Sequence, residues 1–216
     1  MNIIIERFNK IKSNIENFKP KKKVKIVAIS KTFAIDHIKP LIDYGHEHFG
    51  ENKVQEALAK WSDVKIKNHN LKLHMVGKLQ TNKVKTALKI FDYVHSLDNQ
   101  KLADSLAKNQ NTMGRSLKYF IQVNIGNELQ KSGIPINELD AFYTYCSKEQ
   151  NLDIIGLMVI PPNDGDPKKY FKSLNDLNNS LALNELSMGM SADYLEAIHF
   201  NATFVRLGSS IFGSRS

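Results

Sequence analysis

One cysteine, four arginines and no apolar run long enough to cross a bilayer set the first limits on this chain of 216 residues. Cys146 has no partner for an internal disulfide, which fits a reducing cytoplasm. It adjoins the apolar-periodic stretch Leu139 to Tyr145 and reads as a small buried side chain rather than a nucleophile. No window holds eighteen consecutive apolar residues, so no membrane span is expected. The segment Met1 to Arg7 lacks the basic-then-apolar order of a signal peptide. Arginine is confined to Arg7, Arg115, Arg206 and Arg215, so the net charge of +8 is almost entirely lysine spread along helix-like segments. The one dense run, Lys19-Pro20-Lys21-Lys22-Lys23, has no interleaved aromatics and reads as a solvated loop, not a nucleic-acid site.

What is present is alternation. Ile3 to Phe18 carries apolar residues at positions 4, 8, 11, 15 and 18, an amphipathic helix. Eight apolar runs read as strands: Val24–Ser30, His46–Phe49, Leu71–Val76, Tyr93–Leu97, Tyr119–Ile125, Ile154–Val159, Leu186–Gly189 and Thr203–Leu207. Between them the helical period places helices near Ile35–Tyr44, Lys53–Val64, Asn82–Ile90, Lys101–Gln110, Asn137–Lys148, Pro167–Leu183 and Ser191–His199. Strands alternating with helices imply a parallel sheet. Eight units in this length predict an α/β fold with one (β/α)8 barrel over residues 1–216 as a single domain. The competitor is an open doubly wound sheet. It would want a Gly-x-Gly-x-x-Gly loop after an early strand, and none exists. The stretch Pro161 to Pro167 is loop chemistry within the barrel.

The chemistry gathers at strand ends. Leu186-Ser187-Met188-Gly189-Met190-Ser191 and Val205-Arg206-Leu207-Gly208-Ser209-Ser210 each run from an apolar strand into a Gly-Ser loop. Glycine lets the backbone approach an anion, and consecutive amides can point at one phosphate. Two such loops after the last two strands match the place where barrels hold phosphorylated ligands. Lys31 follows the first strand and shares a face with Val27 and Ile29; on an inward face its amine reaches the barrel mouth. Arg206 shares a face with Phe204 and points inward beside the second loop. An amine for a Schiff base, a phosphate cradle and a charged group for the pyridine nitrogen are the fixtures of a pyridoxal 5'-phosphate (PLP) site. His46-Glu47-His48 puts two imidazoles on one face, but later strands offer no inward metal ligands, so no metal site is expected. His95 and His199 read as packed or exposed histidines. Gln122 and Asn124 share a face, where they read either as a satisfied core network or, the favoured reading, as ligand-facing amides at the mouth.

The residues then become more specific. Ser30-Lys31-Thr32, Phe49-Gly50-Glu51-Asn52, His74-Met75-Val76-Gly77-Lys78-Leu79-Gln80-Thr81-Asn82-Lys83 and Gln122-Val123-Asn124-Ile125 occur in order. Glu128, Lys131, Gly133, Gly156-Leu157-Met158, Ile160-Pro161 and the two C-terminal loops continue the series. The chain resembles the pyridoxal phosphate homeostasis proteins, a YggS/PROSC-like family related to the alanine racemase barrel. The resemblance implies a fold-type III PLP barrel without the β-rich second domain. It makes Lys31 the Schiff-base lysine. It makes Ser187, Gly208 and Ser209 phosphate contacts, and Arg206 the partner of the pyridine nitrogen. It sets Asn52 and His74 at the same mouth. Two departures show: Asn201-Ala202-Thr203 stands where Gly-Ser-Thr is usual, and Ser209 where Thr is also common. Asn tolerates the left-handed backbone that Gly supplies, so the turn is expected to survive.

The resemblance implies a cytoplasmic, monomeric protein that binds PLP and maintains its intracellular level. Little or no catalysis is expected of it. Amino acids and PLP-dependent apoenzymes are its implied partners, with no nucleic acid and no membrane. An arginine at the pyridine nitrogen disfavours a second positive charge there, which weakens the ring as an electron sink. Racemases of this barrel type add a β-rich domain and a tyrosine from a partner subunit, for which this sequence has no room. Two alternatives remain. One is a low-efficiency PLP-dependent amino-acid racemase or lyase using the same lysine. The other is a barrel that holds a different phosphorylated metabolite without a covalent bond.

Overall fold

A computed structural model describes residues 2–128, 131–163 and 165–214. Asp164, in the proline-rich loop, and Arg215 lie outside the described residues. Eight parallel strands close into a barrel in chain order: β1 (Lys25–Ile29), β2 (His48–Glu51), β3 (Lys72–Met75), β4 (Tyr93–Leu97), β5 (Lys118–Gln122), β6 (Asp153–Met158), β7 (Glu185–Ser187) and β8 (Phe204–Leu207). Closure is the pairing of β1 with β8, where Lys25 faces Phe204 and Val27 faces Arg206. The expected α/β barrel is therefore the observed one.

Strand alternation divides the core in two. Val27, Ile29, Phe120, Met158 and Phe204 fill the barrel interior, with Val76 and Tyr93 packed against them. The opposite strand faces carry Ala28, Phe49, Leu73, Val94, Tyr119, Leu157 and Val205, which pack under the helices. Each large apolar side chain fully buried this way contributes about 1.5–3 kcal/mol. The helices outside the barrel are α1 (Ile3–Phe18), α2 (Ile35–Asp43), α3 (Val54–Lys67), α4 (Val84–Ile90), α5 (Gln100–Met113), α6 (Leu139–Thr144), α7 (Lys168–Ser180), α8 (Tyr194–His199) and the short α9 (Ser209–Phe212). Helix α1 buries Ile4, Phe8, Ile11 and Ile15, as its period predicts, but Phe18 stays exposed. Asn2 caps it by accepting from the Ile4 amide at 2.9 Å.

Three sequence expectations shift. The helix expected over Asn137–Lys148 divides into a 3-10 turn at Ile136–Glu138, α6, and a π-helical turn at Tyr145–Glu149. Helix α9 falls in a segment where only a loop was expected. Strand β2 begins at His48, so His46 lies before the strand and bonds the His48 carbonyl through Nε2 at 2.9 Å. Asn201 does take the left-handed conformation, with φ 67°, and the turn into β8 is kept. Cys146 is fully buried, and burial pushes its thiol pKa up to about 12.

Candidate functional site

The C-terminal ends of the strands assemble the site. Val27 and Ile29 point into the barrel, and Lys31, two residues beyond Ile29, sits in the turn at the rim, where it is partly exposed. Thr32 has φ 71°, so the chain turns sharply as it leaves the strand. That turn is held from α3. Glu56 accepts the Thr32 amide at 2.7 Å, and Lys60 donates to the Ser30 carbonyl at 2.9 Å. The buried Glu51 carboxylate accepts from Ser30 Oγ at 2.8 Å, Lys60 Nζ at 2.9 Å and Trp61 Nε1 at 3.0 Å, all at Oε1.

The β7–α8 and β8–α9 loops meet beside it. Ser191 Oγ lies 3.0 Å from Ser210 Oγ, and Ser209 Oγ donates to Ser191 Oγ at 3.5 Å. The Arg206 amide donates to the Gly189 carbonyl at 2.9 Å, which ties the two loops together. Gly189 has φ 90°, and a Cβ there would sit 2.6 Å from Ala197 Cβ. At Gly208 a Cβ would meet Ile29 at 3.5 Å, an ordinary van der Waals contact that needs no shift. Ser209 and Ser210 open α9, and first-turn amides have no acceptor within their helix. Three hydroxyls and these amides are a donor set that fits a phosphate group, and the Asp193 carboxylate of the same loop is engaged by the Met190 amide at 2.6 Å.

Arg206 points inward, as its position predicts, and is 5% exposed. Its Nη1 donates to Ser187 Oγ at 2.8 Å and its Nη2 to the Val159 carbonyl at 2.8 Å. Burial lowers its pKa to about 10, still well above neutrality. Asn52, Gln122 and Asn124 line a cleft of about 320 Å³ at the mouth, with Lys78, Glu128 and Lys131. Gln122 also bonds the Ser132 carbonyl, and Asn124 bonds both backbone groups' partners at Glu128, accepting from its amide and donating to its carbonyl.

Two of the expected site residues lie deeper in the barrel than the loops. Ser187 was expected at the phosphate, but it is fully buried inside the barrel, where its hydroxyl is shared between Arg206 and His95. Ser191 and Ser210 lie in the loops beyond β7 and β8, their hydroxyls 3.0 Å apart. His74 was expected at the mouth, but it is fully buried below Val76, between His48 and His95. Parity does not tell the two serines apart, since they are four residues apart; the end of β7 does. Ser187 lies within the strand on the inward face, whereas Ser191 lies past Gly189 in the loop. Among the described residues, no group of three His, Cys, Asp or Glu side chains is arranged to hold a metal ion.

The family profile of the alanine racemase N-terminal domain matches residues 7–216. The pyridoxal phosphate homeostasis protein of Aquifex aeolicus is 38% identical over 200 residues, covering 88% of this chain and 87% of that protein. The protein of the same name from Pasteurella multocida is 35% identical over 207 residues, covering 91% and 89%. PipY of Synechococcus elongatus PCC7942, solved with PLP bound, superposes with a TM-score of 0.87 at 34% identity, over 97% of this chain and 100% of that one. Alanine racemase of Clostridium difficile shares the fold at a TM-score of 0.75 and 14% identity, with 57% of its chain covered. With this barrel and this match along nearly its whole length, the chain belongs to the alanine racemase N-terminal domain family, among the pyridoxal phosphate homeostasis proteins.

Proposed function

We propose that this protein is a single barrel domain that binds PLP at its C-terminal mouth and maintains the cofactor's level in the cytoplasm as a monomeric carrier. The observation that carries this reading is the β1–β8 seam. It sets Lys31, at the end of β1, beside the hydroxyl and amide cradle that follows β8. When bound, PLP supplies an aldehyde that condenses with a lysine amine. Lys31 provides that amine from a turn fixed by Glu56 and Lys60. Ser191, Ser209, Ser210 and the Gly208 backbone bind the phosphate. Arg206 meets the pyridine nitrogen as a hydrogen-bond donor. It cannot take a proton from that nitrogen, and its charge disfavours one arriving there. This withholds the electron demand that carbanion chemistry needs and favours carriage over turnover. The names of the relatives, and the PLP-bound PipY structure, support the same reading. Amino acids that compete for the aldehyde, and PLP-dependent apoenzymes that receive the cofactor, are the partners this site would serve.

The test is covalent trapping. Protein incubated with PLP is reduced with borohydride, digested and mapped by mass. The pyridoxyl adduct is expected on Lys31, and Lys31→Ala is expected to lose the visible absorption band while keeping its fold. An adduct confined to any other lysine overturns the assignment.

A further inference from the structure

Inside the barrel, below the mouth, five inward side chains from five strands touch end to end. Arg206 Nη1 donates to Ser187 Oγ at 2.8 Å, and His95 Nδ1 lies 2.7 Å from the same oxygen. His95 Nε2 lies 2.9 Å from His74 Nδ1, and His74 Nε2 lies 2.9 Å from His48 Nδ1. His74 and His95 are fully buried, stacked on Tyr93 and Phe120 respectively. His48 ends the row at a hollow of about 580 Å³ on the N-terminal face.

The donors and acceptors of this row follow from one end. A guanidinium only donates, so Ser187 Oγ must accept from Arg206. The hydroxyl keeps one hydrogen, and among the described residues its one other partner is His95 Nδ1. Ser187 therefore donates to His95 Nδ1. That leaves the His95 hydrogen on Nε2, donating to His74 Nδ1. His74 in turn donates from Nε2 to His48 Nδ1. The reverse direction would leave the Ser187 hydrogen buried without an acceptor, which is costly. Both inner rings must be neutral to accept and donate in this way, and burial holds their pKa values well below the usual histidine range.

Arg206 needs such a support. Its acceptors are a serine hydroxyl and a backbone carbonyl, and among the described residues no carboxylate lies within ion-pair distance of it. A hydroxyl with no acceptor for its own hydrogen would be held less firmly as the acceptor of the guanidinium. We propose that Ser187, His95 and His74 are positioning residues for Arg206. They form a hydrogen-bond relay of fixed direction, from Arg206 toward His48, that holds the guanidinium in place for the pyridine nitrogen of PLP. The cofactor half of this inference rests on the function proposed above; the direction of the relay does not.

The experiment therefore has two arms. In the full chain without PLP, imidazole ¹⁵N and ¹³C shifts are recorded between about pH 6 and 8, where an ordinary histidine titrates. Neutral rings with the hydrogen on Nε2 are expected at His74 and His95 throughout. A hydrogen on His95 Nδ1, or a ring that charges in this range, overturns the relay. In the second arm, His95→Phe is expected to weaken PLP binding about tenfold and to move the pH profile of the bound cofactor's absorption. His95→Asn, which offers an acceptor near the position of Nδ1, is expected to restore both. In a Ser187→Ala background, His95→Phe is expected to add nothing. Equal losses from Phe and Asn, or the full loss in both backgrounds, overturn the positioning role. Should His95→Phe not fold, Ser187→Ala alone is expected to give the same loss and the same shifted profile, and wild-type behaviour would overturn the role. Failure of the wild-type chain to bind PLP sinks the functional reading and the cofactor half with it, while the tautomers still decide the relay.

Discussion

The ammonium of Lys60 donates to the carbonyl oxygen of Ser30 at 2.9 Å, so a helix side chain fixes the peptide that leads into Lys31. The same ammonium neutralises Glu51, whose side chain has no exposed surface. Lys60→Met would strand that carboxylate, and breaking a buried pair from one side costs about 3–5 kcal/mol. Urea melts of Lys60→Met are expected to show a loss of that size, partly recovered in Lys60→Met/Glu51→Gln. A loss under about 1 kcal/mol would mean that the pair contributes no more than a surface ion pair.

Two glycines of the phosphate loops should respond in opposite ways. Gly189→Ala forces a side chain into a left-handed residue and into Ala197, so it is expected to destabilise the fold by about 1 kcal/mol or more. Gly208→Ala meets nothing closer than 3.5 Å, so stability is expected to hold. Gly208→Val is expected to block close approach of the phosphate and weaken PLP binding with the fold intact. Ser191→Ala removes a hydroxyl next to a charged oxygen and is expected to cost about ten- to a hundredfold in affinity for PLP. It should change affinity for pyridoxal little. Equal losses for the two ligands would show that Ser191 does not meet the phosphate.

The buried imidazoles make stability depend on pH in one direction. His74 and His95 stay neutral in the fold, well below the ordinary histidine pKa near 6.5, whereas the unfolded chain protonates them. Their contribution is undiminished above about pH 6.5 and is lost as pH falls. Each proton taken up only on unfolding costs about 1.4 kcal/mol per pH unit. Burial also lowers the pKa of His46, to about 4, and that of His48, so unfolding free energies at about pH 7, 6 and 5 are expected to decline with a slope of about two protons or more. His74→Phe is expected to reduce that slope by about one proton if it folds. A flat profile would show that these rings are charged in the native state.

The carrier reading is checked with L-alanine in deuterated water. Lys31 can serve one face of a substrate α-carbon, and racemisation needs a group on each. The expected outcome is a spectral change without appreciable α-proton exchange. Exchange at an ordinary enzyme's rate, about 1 per second or faster, would establish the racemase-like alternative, provided Lys31→Ala abolishes it.

Most of the barrel was legible because its evidence is local. Apolar runs punctuated by Gly, Asn and Pro give the strands, and parity alone gives Arg206 its inward face; Lys31 falls just past the end of β1. Boundaries moved where the apolar signal does not stop with the hydrogen bonding. Residues past Gln122 read as strand, yet beyond Gln122 only an isolated bridge, from Val123 to Ile134, extends the pairing. The break of a helix into 3-10, α and π turns leaves the apolar spacing from Leu139 to Cys146 almost unchanged, so periodicity could not report it. The row from Arg206 to His48 was invisible for a different reason. Its members come from β2, β3, β4, β7 and β8, and nothing local shows that closure stacks them. Ser187 and Ser191 stand on either side of one Gly-containing motif, and only the end of β7 shows which hydroxyl reaches the loop.

The β1–β8 seam also sets when the site can exist. The proposed amine follows the first strand and the proposed phosphate cradle follows the eighth, so every strand of the ring must be made before the two halves can meet. Until then a partly synthesised ring is not expected to hold the cofactor. Ligand that binds only the closed ring then stabilises it by mass action, with the free energy entering at the last junction to form. Occupancy would thus slow the unzipping of β1 from β8, and an empty ring would be the form most exposed to cellular proteases.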